Sequence, residues 1–586
     1  MKIVYLIPNL LEILTFISLL VFFFLNIFIG QIITKTNSLG VNFFTGYSIC
    51  FIFLLFGFIL FNSIKLIYFY YGYLLINFLL SIYFYKDITK IFISFIKFIK
   101  NNKLFIIIVL PLFVIIFNHK AIGWDSFTHW MPMAQKLIIP SVKLEGHGLY
   151  YPIASAIIPF VSTLFTVKLI ENSYSIYNFF LLIIIFKLYF KEIENFKFKN
   201  YKKIITLFLI IYVFYNPGIL NKFTFSSYAD FTLGVALLIL INELINFRYS
   251  SRSIITISLV SALIVNIKNV GLVLVYISIF SFIISNYIFS LEKINNLKFN
   301  LKKLSIPLFF SLLFFLIWRA HLSANELNDN IVRYNDYFER WGILKDFSHR
   351  VIFMILERKI FFFSSFSILL ILIFFRKFIS YKNKILLMTS LTIFITWNLF
   401  LFFMYFVWFS QEETMGAISY WRYNMIIAPI IFYSLLMFLC EINSKFFDKN
   451  EIRLKNIITV VLSILLILLP IKFIDKLRRD ISYPNIPQSF FVIKNKNIDK
   501  ALYIGVGDEA SYQAVRASYY LSDNFKYYKP RVLEFINIED MDFKDIKANT
   551  LDDSINLLIN KKNIYDLVIT NYKNDKNEWI YNKIIN

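Results

Sequence analysis

With 586 residues, 58% hydrophobic content and only 17% charged residues, the chain is too apolar for a soluble globular protein. Its formal charge of +23 would suit a nucleic-acid partner, but the lysines cluster in short loops between apolar runs, where membrane orientation accounts for them. The two cysteines, Cys50 and Cys440, both fall in apolar runs, which points to packing thiols and gives no disulfide framework.

Apolar runs of about 20 residues, the length a bilayer core requires, recur along the chain. They predict spans over 6–30, 44–62, 66–85, 103–118, 203–216, 230–247, 255–267, 270–290, 304–319, 356–375, 385–407, 425–442 and 456–472, with at least one more in 151–189. The expected fold is an all-α polytopic membrane bundle of about 13–15 transmembrane helices. The opening MKIVYLIPNL lacks a small-residue cleavage site and reads as a retained span.

Basic loops at 86–103, 187–203, 248–252, 293–303, 376–384 and 445–455 are expected to face the cytoplasm. That leaves 119–150, the turn 217–229, 320–350 and 408–424 outside. Two full crossings within 151–189 would invert the loop 187–203. The stretch 151–168, with Tyr151-Pro152 and Pro159, is therefore expected to be re-entrant or interfacial.

Residues 1–102 form additional N-terminal spans, and 103–472 form the core. Beyond 472 the composition turns polar. ALYIGVGDEASYQAVRASYYLSD reads as strand, glycine turn and helix, and VLEFINI and YDLVITNYKND read as strands. A small α/β domain over 473–586, on the outer side, is expected. Gly505 and Gly507 supply half of a dinucleotide fingerprint, but the third glycine is missing and Asp508-Glu509 would repel phosphate.

The charge pattern puts several polar residues on the outer side. In GWDSFTHWMPMAQKL, Asp125 and His129 share a helical face at i,i+4. Such a pair suits a divalent ion, with Asp230 as a third ligand, or lets Asp125 act as a general base. An interfacial helix with Trp124 and Trp130 as belt residues and Asp125 as its cap is the plainer alternative. Asp230 opens an apolar run, where a helix cap is again the plain reading. Lys268 interrupts the apolar stretch 254–290 and must snorkel or pair, a phosphate or carboxylate being a suitable partner. Arg422 heads a span, where its fork matches phosphate oxygens, or serves as an interfacial anchor.

Trp124-Asp125 through Trp130, Ala134 and Lys136, then Tyr151-Pro152 and Pro159, form the first part of a recognisable set. Tyr228-Ala229-Asp230 forms the second, and Lys268-Asn269-Val270-Gly271 with Trp421-Arg422-Tyr423 and Pro429 the third. In this order and sidedness, over roughly 103–472, the chain resembles the polytopic glycosyltransferases of the GT-C superfamily. The resemblance implies a polyprenyl-phosphate-linked sugar as donor, used at the outer face, with a glycan, lipid or protein as acceptor and no nucleic acid. It implies that Asp125 is the catalytic acidic residue, that Asp230 is a second acidic site residue, and that Lys268 and Arg422 contact the donor phosphate. Ser126 stands where many relatives carry a second acidic residue, and about three spans precede the core.

Two other classes compete. A lipid or sugar transporter would use broken helices and polar residues nearer the bilayer midplane. A polysaccharide polymerase or ligase would centre on a large outer loop, and 320–350 does hold His321, Arg333, Arg340, His349 and Arg350.

Overall fold

The computed structural model describes residues 10–61, 66–86, 89, 93, 96–97, 100, 130–138, 151–166, 173–195, 229–247, 250–290, 293–325, 337–417, 419–446, 501–505, 533–537, 567–573 and 579–585. The chain divides into two compact units, Met1–Ala121 with Tyr150–Pro470, and Ile122–Leu149 with Ile471–Asn586.

The first unit is all-helical where described. Its helices are α1 (Leu10–Thr34), α2 (Leu39–Leu60) and α3 (Leu66–Tyr83). The second unit contributes the next helix in the chain, α4 (Met131–Ile138). The first unit resumes with α5 (Ala154–Ser162), α6 (Ser173–Asn195), α7 (Asp230–Ile245), α8 (Ser251–Ile267), α9 (Gly271–Phe289) and α10 (Lys293–Ala324). It continues with α11 (Tyr337–Glu357), α12 (Lys359–Phe374), α13 (Tyr381–Val407), α14 (Gln411–Met415), α15 (Tyr420–Met425) and α16 (Ala428–Phe446). Among the described residues six helices are long and apolar enough to cross a membrane, namely α1, α2, α3, α9, α10 and α13. Shorter apolar helices lie within α6, α8, α12 and α16. The architecture is that of a multi-pass membrane bundle.

The expected fold class needs correction in two respects. Against the expected 13–15 crossings, six helices reach crossing length among the described residues, four further apolar helices are shorter, and the expected spans 103–118, 203–216 and 456–472 lie outside the described residues. The α/β domain expected at 473–586 is replaced, among the described residues, by strands alone: β1 (Ala501–Gly505), β2 (Leu533–Asn537), β3 (Leu567–Lys573) and β4 (Trp579–Ile585). They form one mixed sheet in the order β2-β1-β3-β4. The β1–β2 and β1–β3 pairs are parallel, and β3–β4 is antiparallel in the register Leu567↔Ile585 to Lys573↔Trp579. The helix expected after Gly505 and the remainder of the glycine pattern lie outside the described residues. On α4, partial burial pushes the Lys136 ammonium below the ordinary lysine value.

Two loop expectations also change. The segment 187–203 begins as helix, since α6 continues to Asn195. The segment 320–350 is largely helical where described, with α10 reaching Ala324 and α11 starting at Tyr337. Within residues 151–166, Ala154–Ser162 form the nine-residue helix α5, buried throughout. At 1.5 Å per residue it covers about 14 Å, too little to cross a bilayer core. Pro159 inside it removes an amide donor, and Ser162 Oγ donates to the Pro159 carbonyl at 2.6 Å.

The first unit has two chemically distinct ends. At one end Glu441 of α16 accepts from the Ser380 amide (2.7 Å), the Ser380 hydroxyl (3.0 Å) and the Asn383 amide nitrogen (2.6 Å), so its carboxylate caps α13 from a neighbouring helix. Tyr381 of α13 donates to Asn286 near the end of α9 at 2.8 Å, and Arg376 lies 5.1 Å from the Phe289 ring centre. Arg252, Lys293, Arg376 and Lys377 belong to helix ends and turns on this side. The opposite end carries the buried charges.

Candidate phosphate-binding site

Three of the residues singled out from the sequence meet. Lys268 Nζ donates to Asp230 Oδ1 at 2.8 Å, and Arg422 Nε lies 3.3 Å from Asp230 Oδ2. The first contact is a hydrogen-bonded ion pair. The second is an ion pair without an aligned hydrogen bond. The Asp230 side chain is wholly buried, that of Lys268 is 7% exposed and that of Arg422 23% exposed. Two cations face one carboxylate in a setting where buried charge is costly to leave unmatched.

The local sequence explains the geometry. Asp230 is the first residue of α7, with Ala229 as N-cap, and its carboxylate turns to the two cations. The plain helix-cap reading of Asp230 is thus replaced by an ion-pair role. Lys268 ends α8 in an extended conformation (φ −156°, ψ 143°), and the chain reverses at once, with the Gly271 amide donating to the Lys268 carbonyl at 2.7 Å. The reversal is tight because Gly271 lacks a Cβ, which would lie 2.1 Å from the Ile264 carbonyl oxygen. Helix α5 fixes the same corner. Ser155 Oγ donates to the Ile267 carbonyl at 3.0 Å, satisfying a terminal carbonyl of α8. Tyr174 and Tyr47 donate in turn to the Ser155 and Ala154 carbonyls at 2.6 and 2.5 Å.

Tyr423, which the sequence reading named beside Arg422 without a role of its own, joins the two cations. Its ring centre is 5.1 Å from Lys268 Nζ and 5.4 Å from the Arg422 guanidinium carbon. The Tyr423 carbonyl accepts from Trp397 Nε1 at 3.2 Å, which ties α15 to α13. One residue before α15, Ser419 adopts a left-handed conformation (φ 66°), as does Ala417 (φ 45°), and the turn brings Arg422 inward. Tyr420 of α15 donates to Asn398 at 2.6 Å, and burial pushes its hydroxyl up to about 12. Arg358 lies 5.4 Å from the Trp421 ring centre on the adjoining side.

The site is recessed. It lies beside Trp397, and α13 continues for ten further residues to Val407, about 15 Å at helical rise. Tyr276 of α9 donates to the Leu308 carbonyl of α10 at 3.2 Å, and α10 likewise runs well past that level to Ala324. The shorter helices α7, α8 and α9 end at the charges. The N-termini of α7 and α9 both lie there, adding their partial positive charge to the two cations.

The remaining assignments fall differently. Asp125 and His129 lie outside the described residues. Of the metal ligands expected from sequence, only Asp230 is described, and its two oxygens face Lys268 and Arg422. Among the described residues no group of three His, Cys, Asp or Glu side chains is placed to hold a metal ion. The surroundings of Asp230 suit an anion better than a divalent cation, so no chemical step is assigned to a metal. His321 stacks on Trp318 at 5.3 Å and sits 5.3 Å from the Phe58 ring centre, inside an aromatic packing cluster.

Replacing Tyr423 by leucine is expected to raise the KM for a phosphate-bearing donor roughly tenfold, the effect of losing about 1.4 kcal/mol of desolvated cation–π attraction. Tyr423→Phe keeps the ring and is expected to stay near wild type. Equal KM values for the leucine and wild-type proteins would remove Tyr423 from this role.

No protein-family model matches the chain, and no curated protein matches it.

Proposed function

We propose that the chain is a membrane glycosyltransferase that moves a sugar from a polyprenyl-phosphate-linked donor to an acceptor at the outer face of the cytoplasmic membrane. The observation that carries this reading is the recessed Lys268–Asp230–Arg422 cluster, in which two cations face one buried carboxylate. A phosphate linking sugar to lipid is the kind of anion that a lysine and an arginine side by side can bind. Asp230 keeps the two cations apart and aimed, so neither must be reordered as the phosphate leaves. The basic loops at the other end favour placing that end in the cytoplasm and the site outside.

In the reaction, the bond between the sugar anomeric carbon and the donor phosphate oxygen breaks, and its electron pair stays on the phosphate. An acceptor oxygen or nitrogen forms the new bond from the opposite face, with inversion. Its proton passes to a base, assigned on sequence grounds to Asp125. Lys268 and Arg422 stabilise the charge that develops on the departing lipid phosphate.

The test is transfer of radiolabelled sugar from polyprenyl-phosphate donors to a broad acceptor extract in membranes carrying wild-type protein or Asp125→Asn. Wild-type membranes are expected to transfer label, and the variant to lose at least about 100-fold, the usual scale for a general base. Absence of transfer with every donor, accompanied by movement of the lipid-linked sugar between leaflets, would replace this reading with transport. Equal transfer by both proteins would remove Asp125 from the chemistry.

A further inference from the structure

We propose that the turn Arg376–Phe378, packed against the end of α9, binds the headgroup of an anionic phospholipid. This place lies at the end of the first unit opposite the charged recess, uses other cations, and is independent of the proposed function.

Contacts between separate elements build it. Arg376 lies 5.1 Å from the Phe289 ring centre, and Lys293, the first residue of α10, holds its Nζ 6.0 Å from the Tyr287 ring centre. Both rings belong to the last turn of α9. Tyr381 donates to Asn286 in that same turn at 2.8 Å, which fixes the start of α13 there. Phe375, just before Arg376, packs on Phe438 of α16 with ring centres 5.6 Å apart, so the turn is held from a second side.

The cations gathered here are not neutralised. Lys293, Arg376 and Lys377 are exposed, and among the described residues none of them is paired with a carboxylate. The carboxylate that reaches the neighbouring residue, Glu441, accepts from Ser380 and Asn383. The last carbonyls of α9 favour cations beside them but carry only about half an elementary charge, against three full positive charges. A ring face steadies a cation without using up its N–H donors, which stay directed to phosphate oxygens.

A free anion would need the charges alone, but hydrocarbon flanks them. Phe374 and Phe378, on either side of Arg376 and Lys377, are 70% and 46% exposed, and Ile284 and Ile288 are exposed near the end of α9. In a membrane bundle these side chains meet acyl chains, so phosphate and tails of one lipid find partners in one place. A zwitterionic lipid brings its own ammonium and leaves the three cations unmatched, whereas an anionic one does not. Basic residues that only orient a chain act through their charge and require no such framework.

Full chain in detergent is given equal amounts of phosphatidylglycerol and phosphatidylcholine, and bound lipid is counted by native mass spectrometry. Wild type is expected to retain phosphatidylglycerol several-fold over phosphatidylcholine. The double variant Lys293→Gln with Arg376→Gln should bind phosphatidylglycerol roughly tenfold more weakly. Arg252→Gln with Lys298→Gln removes equal charge from other helix positions and should stay near wild type. Lys377→Gln leaves both ring contacts intact, so it serves if the first double variant fails to fold, and should weaken binding several-fold. Equal retention of both lipids by the wild type, or equal losses in the two double variants, overturns the proposal. Displacement of phosphatidylglycerol by inorganic phosphate also overturns it, by making the place a free-anion site.

Discussion

Lys268→Met is expected to abolish sugar transfer, by at least about 100-fold, and to destabilise the bundle by about 3–5 kcal/mol. The loss of stability arises because the wholly buried Asp230 carboxylate would keep only Arg422, at 3.3 Å and without an aligned hydrogen bond. The loss of transfer has a separate origin, since removing Lys268 also removes one of the two cations assigned to the donor phosphate. The double variant Asp230→Asn with Lys268→Met separates the two. Replacing both partners of a buried pair by neutral side chains of similar volume is often close to neutral for stability. The double variant should therefore regain most of the lost melting temperature while remaining inactive. Wild-type transfer by Lys268→Met would end the role assigned to the cluster. Recovery of transfer in the double variant would make it a structural pair only.

Gly271→Ala is expected to lower stability by about 1–3 kcal/mol through overpacking, and transfer by roughly 100-fold. The added carbon would lie 2.1 Å from the Ile264 oxygen, 2.7 Å from its carbonyl carbon and 3.0 Å from Val265 Cα. All three are backbone atoms, so the collision is relieved only by moving α9 away from the last turn of α8. Lys268 sits in that link and moves with it, which is why activity should fall further than stability alone explains. Gly72→Ala is the control, because nothing lies within 4 Å of the carbon it would add. It should melt at or above the wild-type temperature and transfer normally. Transfer by Gly271→Ala at the control's level would show that the reversal does not position Lys268.

Several parts of this structure are legible in the sequence and others are not, for identifiable reasons. The run that predicts a span at 385–407 lies inside α13, and 270–290 closely matches α9, because uninterrupted hydrocarbon marks such helices plainly. The start of α10 is invisible to hydropathy, since the helix begins at Lys293, in a segment rich in lysine and asparagine and read as a loop. Lys268 stands out because a charge inside an apolar run demands a partner. The identity of that partner does not follow, since Asp230 is 38 residues away and explains itself locally as a cap. Tyr423 enters the sequence reading only as the neighbour of Arg422, one of 37 tyrosines, and only the fold shows it between two cations. In the C-terminal segment, β4 is the sequence WIYNKII, which lacks the alternation of apolar and polar residues that marks a half-buried strand, although it pairs with the neighbouring β3.

The trans-helix cap on α13 bears on how a lipid could reach the charged recess. Glu441 anchors the first turn of α13 to α16, and sixteen residues later Trp397 fastens the same helix to α15. Because α15 leads within a few residues into α16, these three helices close a braced loop with a joint at each end. Such a truss resists shear, so substrate entry would draw on the other wall. That wall is α9 with α10, where Tyr276 supplies a single hydrogen bond to Leu308. Amide hydrogen exchange would then be faster in α9 and α10 than in α13.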